Sequence, residues 1–127
     1  MKLSVTSWSF PACTLGESWA IAQALGFQAM DLGLLHGAAL KRGRIVADPE
    51  GAAGDVAALG IGMSNLYWLF GADIAENAVT DPKARDRNAV EFERVSRFAT
   101  ALDCPTVFVL PGIQAPGVTR QAATVAA

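Results

Sequence analysis

Apolar residues along the chain fall into short dense runs separated by longer periodic stretches, a pattern that predicts four strand-then-helix units. Leu3 to Phe10 is a β-prone run with Val, Thr and Trp, closed by Pro11 as a strand ending in a turn would be. Thr14-Leu15-Gly16-Glu17 has capping-box spacing, in which the hydroxyl and the carboxylate each satisfy a free backbone N–H at a helix start. Leu15, Trp19, Ala22 and Leu25 continue it as an apolar stripe, and Gly26 suits the left-handed position just past a helix end. Phe27 to Leu35 is apolar except for Gln28, Asp31 and Gly33; its brevity and flanking glycines predict a buried second strand.

A loop is expected through Lys41-Arg42-Gly43-Arg44. Asp48-Pro49-Glu50 then places a capping carboxylate before a proline at the first helical position, for a helix that runs to Leu59 and stops at Gly60. Ile61 to Phe70 predicts the third strand, its aromatic tail near the C-terminal end or in the loop beyond. Asp81-Pro82 repeats the cap-plus-proline start. From Lys83 to Leu102 an apolar face of Ala84, Val90, Phe92, Val95, Phe98, Ala99 and Leu102 is expected. Arg85, Asp86, Arg87, Glu91, Glu93, Arg94 and Arg97 are expected mainly outside, as a solvated stretch of alternating charge. Cys104 to Leu110 predicts the fourth strand, with Pro105 tolerated at its start, and Val118 to Ala127 reads as the beginning of a fourth helix.

Strict alternation of strand and helix calls for parallel strands with right-handed crossovers, in either an open doubly wound sheet or a closed (β/α)8 barrel. The turn Phe10-Pro11-Ala12-Cys13-Thr14 holds no Gly-x-Gly-x-x-Gly to cradle a pyrophosphate, which counts against the open sheet. A barrel takes about 250 residues. Four units in 127 residues therefore predict about half of one, a single partial (β/α)8-barrel domain over residues 1–127 that is truncated within its fourth helix. Four unclosed parallel strands leave both outer strands and one face unpartnered, so the chain is expected to be a homo-oligomer or to lack a C-terminal half.

Composition narrows the function classes. Hydrophobic residues make up 52% of the chain, enough to require one compact core. The net charge is -2, the pI is about 5.2 and the basic residues are scattered, which argues against nucleic acid as a partner. Met1-Lys2 resembles a signal n-region, but Ser4, Thr6, Ser7, Ser9 and Pro11 break the run; no stretch reaches the roughly 20 apolar residues of a membrane span. A cytoplasmic chain is expected. Cys13 and Cys104 fall at opposite ends of a parallel sheet in this layout, so both are expected to be free thiols.

Several segments resemble the xylose isomerase-like sugar phosphate isomerase/epimerase family. They are Lys2-Leu3-Ser4-Val5-Thr6-Ser7-Trp8-Ser9-Phe10-Pro11, Ala24-Leu25-Gly26-Phe27, Met30-Asp31-Leu32, Leu59-Gly60-Ile61 and Ala101-Leu102-Asp103-Cys104-Pro105-Thr106-Val107. The resemblance implies a (β/α)8 barrel whose C-terminal mouth binds a divalent cation (Mn, Mg or Zn) and a sugar, polyol or keto-sugar. There the metal polarises a carbonyl or hydroxyl while a carboxylate moves a proton on the adjacent carbon. The family's metal ligands, typically Glu, Asp, His and Glu, lie on later strands outside this sequence. This chain is therefore expected to be metal-free and inactive alone. Where the family commonly has Glu at the end of the second strand, Asp31 stands here, one methylene shorter. Two other classes compete: a non-catalytic half-barrel module that binds a partner along its open edge, and an apurinic endonuclease of the same superfamily, which one histidine and an acidic pI disfavour.

The candidate substrate-binding residues are Trp8, Asp31, His36, Asn65 and Tyr67. Asp31 interrupts an apolar strand and needs a partner, either a structural one or one at the barrel mouth. His36, the sole histidine, follows the second strand on the side where an active site would lie; a solvated loop histidine is the commoner case. Trp8, Phe10, Tyr67 and Trp68 offer aromatic faces for stacking on sugar C–H surfaces, with core packing expected for at least half of them. Ser64 and Asn65 are polar within a strand, and one of them must face the barrel interior.

Overall fold

The computed structural model describes residues 3–33, 40–114 and 116–126. Four strands, β1 (Ser4–Thr6), β2 (Ala29–Gly33), β3 (Met63–Trp68) and β4 (Val107–Val109), form one sheet in the order β1-β2-β3-β4, all neighbours parallel. Helix α1 (Leu15–Ala24) joins the first pair, α2 (Arg42–Ala47) and α3 (Pro49–Ala57) the second, α4 (Arg85–Ala101) the third, and α5 (Arg120–Ala126) follows β4. The fold is thus an α/β protein with a parallel sheet. Doubly wound sheets begin in the middle and grow in both directions. Here the first strand lies at an edge and each new strand is added on the same side.

Helices α1 to α4 share one core with one face of the sheet. Met30 and Leu32 of β2 and Leu66 and Trp68 of β3 are fully buried there, against Trp19 and Ala22 of α1, Ile45 of α2, Val56 of α3, and Val95 and Phe98 of α4. Each such large side chain contributes roughly 1.5–3 kcal/mol on burial. Val5 of β1 and Val107 and Val109 of β4 extend the same face to both edges. The other face carries no packed layer among the described residues, and Phe108 on it is 48% exposed.

The sequence signals at the helix starts hold. Thr14 and Glu17 form the reciprocal capping box, Asp48 accepts the Gly51 N–H with Pro49 next to it, and Gly26 ends α1 at φ +87°. Elsewhere the structure departs from the pattern. The first strand is only three residues long, because Thr6 caps a 3₁₀ turn over Ser7–Ser9 by accepting the Trp8 N–H. The expected loop through Lys41-Arg42-Gly43-Arg44 is helical from Arg42 on, the Arg44 and Ile45 N–H groups donating to the Lys41 carbonyl and the Asp48 N–H to that of Arg44. On α4 the face is rotated from the predicted one: Val90 and Phe92 are exposed, while Asn88 and Glu91 are buried. Glu91 is tolerated inside because Arg42 and Trp68 hydrogen-bond its carboxylate. No helix among the described residues is long and apolar enough to cross a membrane.

Candidate functional site

The uncovered face of the sheet gathers the polar and aromatic residues that the strands do not spend on the core. Alternation places Thr6, Asp31 and Gly33 on it, opposite Val5, Met30 and Leu32. In β3 the pairing with β2 slips by one residue: Met30 faces Met63, but Asp31 faces Asn65, leaving Ser64 as an extra residue. This bulge lets both Ser64 and Asn65 serve the open face. The Ser64 hydroxyl donates to the Asp31 carboxylate, and the partner demanded by a carboxylate within an apolar strand is therefore structural and local. The Asn65 amide has no hydrogen-bond partner among the described residues.

One row nearer the C-terminal ends of the strands lie three aromatic rings. Trp8 and Tyr67 have centroids 4.8 Å apart at 43°, and Tyr67 meets Phe108 edge-on at 5.3 Å and 62°. Both separations fall in the favourable range for aromatic pairs. The 3₁₀ turn explains how a residue beyond β1 reaches this row. Ser7 is buried, and its Oγ accepts the Gly33 N–H at 3.1 Å, which folds the turn over the end of β2. Trp8 is thereby laid above Gly33, where any Cβ would fall inside the indole ring.

The polar row continues to β4. Thr106 Oγ1 donates to the Ser64 carbonyl at 3.1 Å, and the Cys104 thiol donates to the Thr106 carbonyl at 3.2 Å. Burial pushes the Cys104 thiol above its ordinary value, and the negative charge of Asp31 adds to the effect. Cys104 and Cys13 are both free.

Of the candidate residues, Trp8, Asp31, Asn65 and Tyr67 come together on this face. His36 lies outside the described residues. The four aromatics divide evenly: Trp68 is fully buried and Phe10 packs against the core, whereas Trp8 and Tyr67 form the row. Phe108, Ser7 and Gly33 were not singled out by sequence. The one available signal for Phe108 was alternation within Val107-Phe108-Val109, since two core valines turn the residue between them outward.

Loops behind the row are tied together. Ile113 N–H donates to the Ile74 carbonyl at 3.0 Å, Val79 N–H to that of Pro111 at 3.0 Å, and Thr80 Oγ1 to that of Ile113 at 2.7 Å. Among the described residues no three His, Cys, Asp or Glu side chains cluster as a metal site would require.

Fold and site together define a parallel α/β protein with an aromatic and hydroxylic surface at one end of its sheet. Compared with known proteins, the chain matches no family model, no curated protein and no solved structure.

Proposed function

We propose that the chain is an arc of a (β/α)8 barrel of the xylose isomerase-like sugar isomerase/epimerase kind, and that its inner face holds a sugar or polyol. Two features support a barrel: sequential strand order, and helices α1 to α4 gathered on one side of the sheet. The observation that carries the ligand is the row of Trp8, Tyr67 and Phe108 beside the row of Asp31, Ser64 and Asn65. Flat rings pack against the C–H faces of a pyranose or an extended polyol. A carboxylate and an amide in the adjacent row accept from, and donate to, its hydroxyls.

The family resemblance implies a divalent cation, and the described residues do not fit one. Asp31 is engaged by Ser64, and among the described residues no group of three His, Cys, Asp or Glu side chains includes it. No step is therefore routed through a metal. The residues of this chain bind and orient the ligand, and aldose–ketose turnover by this chain alone is not expected, with or without added Mn²⁺ or Mg²⁺.

The test is titration of the chain with aldoses, ketoses and polyols, followed by tryptophan fluorescence and calorimetry. Saturable binding that Tyr67→Ala and Asn65→Ala each weaken at least tenfold is expected. Binding that survives both substitutions, or none up to molar sugar, removes the proposal. A non-catalytic module that binds another chain by strand addition is the second reading, favoured by β1 and β4, which each have a strand neighbour on one side only among the described residues.

A further inference from the structure

Charge is distributed unevenly between strands and helices. Asp31 is the one charged residue on the four strands. Of the ten Lys and Arg residues, Lys2 lies outside the described residues; each of the other nine is on α2, α4 or α5, or in the residues leading directly into α2 or α4. Four of those nine are committed elsewhere: Arg42 to Glu91, Arg44 to Asp48 and Asp55, Arg87 to Asn77, and Arg97 to Glu50. The segment leaving the C-terminal end of β3, Leu69 to Asp81, adds Asp73, Glu76 and Asp81 and no base. The segments after β1 and β4, Ser7 to Thr14 and Leu110 to Thr119, carry no charge.

Asp31 also has an oxygen to spare. Its Oδ1 accepts the Ser64 hydroxyl, whereas Oδ2 has no hydrogen-bond partner among the described residues and is not enclosed. The side chain is half-buried, so salt screens it less than a surface carboxylate. Asn65 is its register partner, and Tyr67 lies two residues further along β3 on the same face, roughly 6–7 Å nearer the C-terminal ends. The aromatic row has the same sign. The face of an aromatic ring is the negative end of its quadrupole, attracting cations and repelling anions. Trp8 and Tyr67 are half-buried and Phe108 is exposed, so ring surface remains open to a ligand.

We propose that this face selects a cationic sugar: an amino sugar whose protonated amine pairs with Asp31 Oδ2 while its ring lies against Tyr67 and Trp8, phosphorylated sugars being rejected. The inference rests on the sugar-binding reading above and supplies its charge preference. A neutral sugar finds Asn65 and the rings, but only an ammonium group turns the Asp31 contact into a charge-assisted pair, which is roughly twice as strong as a neutral hydrogen bond. A phosphate group meets the carboxylate and the ring faces with no base on any strand to offset them. The acids of the loop after β3 extend that repulsion beyond contact distance. An amine without a sugar ring keeps the ion pair and forfeits the stacking, and an ion pair alone is weak in water. Both halves of the ligand are therefore needed.

Titration of the full chain with glucosamine, glucose, glucose 6-phosphate and propylamine tests the proposal, read by tryptophan fluorescence and calorimetry at mildly acidic pH, where the amine is protonated and the carboxylate ionised. Glucosamine should bind at least about fivefold more tightly than glucose or propylamine, and glucose 6-phosphate at least about fivefold more weakly than glucose. Asp31→Asn should remove most of the glucosamine advantage. In the unaltered chain, raising ionic strength from about 0.01 to about 0.15 M shortens the screening length from roughly 30 to roughly 8 Å, and the spread between glucosamine and glucose 6-phosphate should narrow. Three sugars within twofold of one another, tighter binding of the phosphate, or a spread indifferent to salt would each overturn the charge preference. If that uniform binding is still lost in Tyr67→Ala, the sugar reading stands without it. Propylamine matching glucosamine would overturn the amino-sugar assignment, and no saturable binding of any sugar would remove both readings.

Discussion

Glu91 on α4 accepts the indole N–H of Trp68 on β3 at 2.8 Å, while its two oxygens hold Arg42 of α2 at 3.1 and 2.5 Å. One carboxylate therefore joins a strand to two helices from within the covered side of the sheet. Arg42 is 36% exposed at its side chain and can regain water if released, but Trp68 cannot, being fully buried.

Removal of that carboxylate should be costly. Glu91→Ala is expected to lower unfolding free energy by about 2–3 kcal/mol, since it leaves a buried donor unpaired and a charge without its counterion. Glu91→Gln keeps an acceptor for the indole and should lose about half as much. Urea denaturation monitored by tryptophan emission reads both; equal effects would show that the indole bond contributes nothing.

Gly33 sets the height of the aromatic row. Gly33→Ala places a methyl group inside the Trp8 ring, so the 3₁₀ turn must lift and the 4.8 Å Trp8–Tyr67 pair must open. The measurable outcome is red-shifted tryptophan emission with at least a tenfold loss of sugar affinity. An alanine variant with wild-type emission would show that the turn is looser than the Ser7–Gly33 bond implies.

Legibility in the sequence followed the range of each interaction. Caps were readable because a hydroxyl or carboxylate acts on N–H groups two or three residues away, as at Thr14, Asp48 and Asp81. Parallel order followed from strand–helix alternation. The rotated face of α4 was not readable, because Glu91 is stabilised by Arg42, 49 residues distant, and by Trp68, 23 distant. Periodicity alone assigns such a carboxylate to solvent and draws Val90 inward in its place. The candidate site was half legible: the residue types pointed to Trp8, Asp31, Asn65 and Tyr67, while Ser7 and Gly33, which hold Trp8 in position, have no chemical signature.

Acid should destabilise the fold through its caps. Backbone N–H donors hold Asp48 and Asp73 below the ordinary 3.8, Gly51 acting first on Asp48 and Ala75 first on Asp73; Thr14 does the same for Glu17 below 4.5. The unfolded chain binds protons more readily at these groups, so their contribution is complete above the ordinary values and is lost as pH falls through the lower folded ones. Thermal midpoints should be flat down to about pH 5 and fall below it. Asp48→Asn retains a capping oxygen but not the charge, and its midpoint should fall less steeply between pH 4 and the acid limit. A slope identical to wild type would remove Asp48 from the account.

The Asp31 charge can be read from Cys104. Burial raises the thiol first and Asp31 adds to it, so Asp31→Asn should lower its pKa and speed its reaction with a disulfide reagent at mildly alkaline pH. In a Cys13→Ser background, a rate increase of about twofold or more is expected. An unchanged rate would separate the two groups.

The slip between Met30 and Asp31 makes β3 sensitive to length as well as to composition. Met63 and Leu66 are an odd number of residues apart, yet both pack toward the helices, because Ser64 absorbs the mismatch in phase. Excision of that single residue would leave Met63 and Leu66 two positions apart and in phase on the helix side, so the strand could pair with β2 without the slip. The apolar pattern would be kept, and Asp31 alone would suffer, losing the hydroxyl that now neutralises its isolation.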